Sequence, residues 1–193
     1  MNFLGHLYFS RNDTDLMAAN LLGDFIKGKN LSHLSPVTQK GIFLHRSIDS
    51  YIDHHPAVLE LLHILYKPMP KIAGIAVDLY FDHLLAKQWA SFHEMKLEDF
   101  IQQFFKSIDF NNPDFTPEFR FMLTKMIKKN WLYQYQFKYG LYKACQGVSR
   151  RISFKNELVN GLVVFEAYET QIETAFHQYM LEANVYFNEL DLD

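Results

Sequence analysis

"KGIFLHRSIDSYID", residues 40–53, decides how this chain folds. A helix advances about 100° per residue, so residues three, four and seven apart share a face. Ile42, Ile48 and Ile52 fall on one such face. The spacing predicts an amphipathic helix rather than a strand. His45 and Asp49, one turn apart, project from the same stripe as the isoleucines, within about 60° of one another by the same geometry. An imidazole and a carboxylate therefore point where a core should be.

The pattern recurs on either side. In "GIAVDLYFDHLLAKQW", residues 74–89, Asp78 and Asp82 are one turn apart and share a face with Ile75, Phe81 and Leu85. In "DTDLMAANLLGDF", residues 13–25, Asn20 and Asp24 are one turn apart among Met17 and Leu21. An unpaired buried carboxylate is costly, and two on one stripe repel. The remedies are a basic partner or a metal ion. A buried ion pair explains any one of these acids taken alone. Three helices carrying such groups favour a shared divalent cation held inside a bundle. Oxygen and imidazole ligands without sulfur suit Mn²⁺, Mg²⁺ or Fe²⁺ better than structural zinc.

One stretch offers a rival chemistry. "ANLLGDFIKGKN", residues 19–30, has the glycine and lysine spacing of a phosphate-binding loop at Gly23, Gly28 and Lys29. That loop needs Ser or Thr where Asn30 stands, and it must follow a strand. A helix precedes it here, so Gly28 reads as a helix end, and Asn20 and Asp24 as groups serving a metal.

The remaining chain agrees with a bundle. Helical periodicity predicts helices at about 13–27, 36–53, 57–66, 71–90, 97–108, 117–139, 141–149 and 157–185, with "NFLGHLYFS" before them left as helix or extended lead-in. Gly140 is expected to end or bend the sixth. No repeat or low-complexity linker divides the 193 residues, so residues 1–193 read as one all-α, single-domain helical bundle. A lone cysteine, Cys145, excludes an internal disulfide and a multi-cysteine zinc site. No apolar run approaches the ~18 residues of a membrane span. His6 and Arg11 interrupt the apolar start where a signal peptide would be continuous. A soluble, cytoplasmic protein is expected.

Charge is unevenly placed. Residues 120–155 hold nine basic and no acidic side chains, whereas 156–193 hold eight acidic and no basic ones. Such a block attracts an anionic partner or neutralises against the acidic tail.

The motifs, taken in order, resemble a known family. "MNFLGHL" at 1–7, "NLLGDFIKG" at 20–28, "HRSID" at 45–49, "DLYFDHLLAKQW" at 78–89, "NWLYQY" at 130–135 and "GVSRR" at 147–151 are similar to bacterial acyl carrier protein phosphodiesterases. The resemblance implies an all-α fold like that of the HD-type metal phosphohydrolases. It implies hydrolysis of the phosphodiester joining 4′-phosphopantetheine to the serine of holo-acyl carrier protein, with a divalent cation, foremost Mn²⁺. By position it makes Asp24, His45, Asp78 and Asp82 metal-ligand candidates, with Asp49 a fifth. His6 becomes a ligand or an acid/base group. The adjacent His-Asp pair of HD enzymes is missing: here His45 precedes Arg46, and Asp82 precedes His83. On this reading His6 or His83 protonates the leaving serine oxygen, and Arg46, Arg150 or Arg151 neutralises phosphoryl charge. Arg46 alternatively pairs with a carboxylate of the metal shell. Lys125, Lys128, Lys129, Arg150 and Arg151 form the dock for the acidic carrier protein. Trp131, Tyr133, Tyr135 and Tyr139 line the pantetheine path or simply pack the core. Neither nucleic acid nor a membrane is an expected partner. Two other readings stay open: a related phosphohydrolase of nucleotides or small phosphate esters, and a non-catalytic helical adaptor for an acidic partner.

Overall fold

The structure, a computed structural model, describes residues 1–192, and no strand occurs among them. The helices are α1 (Phe3–Tyr8), α2 (Thr14–Leu22), α3 (Pro36–His54), α4 (Pro56–Leu65), α5 (Ala73–Lys87), α6 (Leu97–Ser107), α7 (Pro117–Lys129), α8 (Trp131–Gln134), α9 (Lys138–Ser149), α10 (Gly161–Ala167) and α11 (Glu169–Glu189). Their starts follow from local chemistry. Asp13 caps α2 by accepting from the Asp15 and Leu16 amides, both at 3.0 Å. Ser35 and Thr116 cap α3 and α7, each followed by a proline whose missing N–H costs nothing in the first turn. Pro56 opens α4 in the same way.

Several helix ends differ from the sequence expectation. The first helix stops at Leu22 and tightens into a 3₁₀ turn, Gly23–Phe25, so Asp24 leaves the helical face it was expected to share with Asn20. The stretch 117–139 is not one helix: Asn130, at φ 48°, turns left-handed and separates α7 from α8. Its short polar side chain tolerates that region where most residues do not. The stretch 157–185 is broken at Tyr168 between α10 and α11. Gly140 neither ends nor bends a helix but lies inside α9, where an added Cβ would strike the Gln134 carbonyl. The apolar start is a helix, α1.

One continuous core links these elements. From Leu79 to Ala86 every residue of α5 is buried, so this helix runs through the centre rather than along the surface. Phe81 packs edge-on to Phe176 of α11, with ring centroids 5.4 Å apart. Burying such a side chain contributes about 1.5–3 kcal/mol. The α2–α3 contact is close because it is made by small residues: a Cβ on Gly41 would overlap Ala19. Asp78 and Asp82 do not share an apolar face as expected. Asp78 lies near the outer start of α5 with Ile75, which is 38% exposed, whereas Asp82 is only 1% exposed. Among the described residues, no helix is long and apolar enough to cross a membrane.

Candidate metal centre

Three elements meet at the feature the sequence singled out. The His6 ring from α1 stacks on the His45 ring from α3, with centroids 4.2 Å apart and planes 18° apart. Asp49, one turn after His45, reaches both: its Oδ1 lies 3.3 Å from His6 Nε2 and its Oδ2 3.2 Å from His45 Nε2. Asp24, in the turn after α2, places Oδ1 3.5 Å from His45 Nε2. One donor atom from each of His6, His45 and Asp49 can be chosen so that all lie within 4.8 Å of one another. The two imidazoles are buried, while the Asp24 and Asp49 side chains are about half exposed, at 57% and 48%. The cluster is therefore anchored in the core and open to solvent on its acidic side.

The tautomer of His6 follows from its neighbours. The Ser10 hydroxyl donates to the His6 carbonyl at 2.8 Å, so its oxygen is left to accept. Asn20 Nδ2 donates to that oxygen at 3.1 Å and to the His6 carbonyl at 2.9 Å. Asn20 Oδ1 is thus the atom 2.9 Å from His6 Nδ1, and Nδ1 must carry the hydrogen. Burial holds His6 below the ordinary histidine value, so the ring is neutral and Nε2 is a bare lone pair. That lone pair faces two more acceptors, the Met1 carbonyl at 3.0 Å and Asp49. Three acceptors converging with no hydrogen between them is an arrangement that a cation resolves. The donor set, nitrogen and carboxylate without sulfur, fits a divalent metal of the Mn²⁺, Mg²⁺ or Fe²⁺ class.

His45 behaves oppositely. Burial works against its charge, but hydrogen bonds and charge from Asp24 and Asp49 outweigh burial and push it up to about 9. Burial likewise opposes ionisation of Asp49, yet the hydrogen bond and charge of protonated His45 hold its carboxyl far below the usual carboxylate range. Gly23 fits here because a Cβ would press into the His45 ring.

The other predicted site residues sit elsewhere. Asp78 Oδ1 pairs with the Met1 amine at 2.9 Å. Asp82 accepts from the backbone amides of Leu4 at 2.7 Å, Gly5 at 3.1 Å and Asn2 at 3.2 Å. It caps α1, and so holds the helix that carries His6, without joining the donor cluster. The sequence could not show this, because the partners are amides at the far end of the chain. His83 donates from Nδ1 to the Tyr135 carbonyl at 2.6 Å and meets Phe165 in an edge-to-face contact, partners that belong to the core and not to the cluster. Arg46 is exposed and donates to the Gly28 carbonyl at 2.7 Å, tying down the loop that follows Asp24. Lys125, Lys129, Arg150 and Arg151 line one groove, which Lys128 does not reach. Asn20 was expected beside the metal; its oxygen instead orients His6. The signal for that role is a fully buried amide in an otherwise apolar helix, "LMAANLL".

The pattern of the acyl carrier protein phosphodiesterase family matches residues 1–183. The chain belongs to that family. Acyl carrier protein phosphodiesterases similar to it include one from Shigella boydii serotype 18, 28% identical over 180 residues and 93% of each chain. Another, from Salmonella paratyphi A, is 26% identical over 177 residues, covering 91% of this chain and 92% of its own. One from Enterobacter sp. (strain 638) is 27% identical over 180 residues and 93% of each chain. No solved structure matches. The family's phosphodiesterases are hydrolases, and the chain is classed with them as an enzyme.

Proposed function

We propose that the chain hydrolyses the phosphodiester linking 4′-phosphopantetheine to the serine of holo-acyl carrier protein, using a divalent cation held by His6, His45 and Asp49 and approached by Asp24. One observation carries the metal dependence: the His6 Nε2 lone pair faces a carbonyl and a carboxylate with no hydrogen to give either. Family membership supports the substrate. A bound divalent cation supplies Lewis acidity toward phosphoryl oxygens and a nucleophilic water at neutral pH.

The chain's own residues prepare the site for it. Asn20 and Ser10 keep the His6 hydrogen on Nδ1 and so keep Nε2 free to ligate. Asp49 offers one oxygen to each imidazole and has exposed surface toward substrate. Arg46 fixes the Ile26–Gly28 carbonyls, which keeps the Asp24 turn in place. His45 carries a proton that it must release to solvent before Nε2 can ligate. Mn²⁺ is the first metal to test.

The experiment is direct. Purified protein is stripped with chelator, reloaded with Mn²⁺, Mg²⁺ or Fe²⁺, and incubated with holo carrier protein. Intact-protein mass spectrometry then follows loss of the prosthetic group. Release of 4′-phosphopantetheine only after metal is restored is the expected result. Turnover of a nucleotide panel with no action on the carrier protein refutes the substrate. Full activity after exhaustive chelation refutes the metal.

A further inference from the structure

The groove that gathers the cations of the basic block has a volume of about 840 Å³ and lies between α7, α8 and α9. Lys125, Lys129, Lys143, Arg150 and Arg151 line it, and no acidic residue does. None of these five makes an ion pair with a carboxylate among the described residues. Among the described residues, the basic block meets the acidic tail in one ion pair, Lys138 with Glu166 at 2.8 Å, which leaves the groove's cations unneutralised. Between the cations stand large rings left in water: Phe121 is 64% exposed and Tyr139 63%. Lys125 lies over the Phe121 ring at 4.9 Å and Lys143 over the Tyr139 ring at 5.2 Å. Unpaired like charges beside exposed aromatics repel one another and waste apolar surface unless a partner covers both.

We infer that this groove docks the acidic face of the carrier protein, a reading that rests on the proposed substrate. Two alternatives fit less well. The pantetheine arm carries no charge beyond its phosphate, and five cations gain nothing from a neutral chain. A single-stranded nucleic acid would suit rings and cations, but nothing in the chain's family points to one. Position also favours the carrier. Asn2 and Phe3 form the groove's edge, and Phe3 stacks on Trp131 with centroids 6.4 Å apart. The residue before them, Met1, places its carbonyl 3.0 Å from His6 Nε2. A protein seated in the groove thus lies beside the segment that leads to the donor cluster. Exposed aromatics interleaved with cations supply both the apolar anchor and the charged steering of an interface.

The test separates docking from catalysis. Binding of holo and apo carrier protein to the full-length chain is measured by calorimetry at low and high salt, with no turnover required. Lys129→Glu/Lys143→Glu reverses two exposed groove charges. Lys96→Glu/Lys106→Glu makes the same charge change away from the groove. The groove pair should weaken binding by about tenfold or more at low salt, and the control pair by less than about twofold. Salt should weaken wild-type binding more steeply than that of the groove pair. Melting curves of both variants confirm folding, and Phe121→Ser, which changes no charge, should weaken binding without altering the salt slope. Equal losses in groove and control variants overturn the inference. So does an oligonucleotide that binds the groove while the carrier protein does not. Binding with the predicted pattern but no hydrolysis would leave the dock standing and remove the proposed reaction instead.

Discussion

Asp82→Ala tests how this fold holds its donor cluster. Asp82 is 1% exposed and accepts three backbone amides at the start of α1. Removing it leaves the Leu4 and Gly5 amides buried without an acceptor; Asn2, partly exposed, can turn to water. A buried unsatisfied donor costs about 1–3 kcal/mol, so two cost about 2–6 kcal/mol. That is a large share of the roughly 5–15 kcal/mol that stabilises a domain. Urea unfolding followed by circular dichroism should show a lower midpoint with unchanged slope. Asp82→Asn keeps one acceptor oxygen and should lose about half as much. There is a pH signature as well. Burial pushes the Asp82 carboxyl up to about 7, against the charge of the Met1 amine and the Leu4 and Gly5 amides, which favour its charged form. A folded-state value above the unfolded one means a contribution present below the unfolded value near 3.8 and lost as pH rises through 7. Wild type should therefore lose stability from about pH 4 to 7 by this route, and Asp82→Asn should flatten that slope. Because α1 carries His6, Asp82→Ala should also weaken Mn²⁺ binding. A loss below about 1 kcal/mol in Asp82→Ala, with Mn²⁺ affinity untouched, would refute the assignment of Asp82 as the anchor of α1.

Other substitutions probe neighbouring links. Asn20→Ala frees the His6 ring to change tautomer and should reduce Mn²⁺ affinity by about 10–100-fold, read by calorimetry; unchanged affinity would count against the tautomer argument. Gly41→Ala places a Cβ 2.7 Å from the Asn20 amide nitrogen, so α2 and α3 must part, at a cost of about 1–3 kcal/mol in denaturant unfolding. Cys145 is 0% exposed, and burial pushes its thiol up to about 12. The native protein should ignore Ellman's reagent at pH 8 and take up one equivalent on unfolding. Since the unfolded thiol ionises near 9, stability should fall as pH rises from 9 toward 12. Prompt labelling of the native protein would contradict the burial.

The helical frame was readable because its signals are local. The Ile42–Ile48–Ile52 stripe, the Ser35-Pro36 and Thr116-Pro117 starts and the absence of strand alternation each act within a turn or two. The interruptions at Asn130 and Tyr168 were hidden because neither residue breaks the apolar period by its own chemistry. At the centre, His45 and Asp49 could be paired from spacing alone, since one helix presents both. Asp78 and Asp82 show the limit of that logic. A buried acid announces that it needs a partner but not which one. Here the partners are backbone amides and a terminal amine brought in by α1, a contact across the whole first half of the chain. The groove was legible as a run of positive residues, but which of them share one cavity with Phe121 depends on how α7, α8 and α9 surround it.

The dependence of His6 on Asp82 limits how these donors could be transplanted. A designer who copied the segment from α2 to α3 onto another scaffold would carry His45, Asp49, Asp24 and Asn20, yet leave behind α1 with His6 and the α5 that pins it. The six-residue α1 is too short to stand without that outside support. The smallest portable unit is thus four helices, α1, α2, α3 and the buried middle rod α5, the last included because it anchors the helix that carries His6.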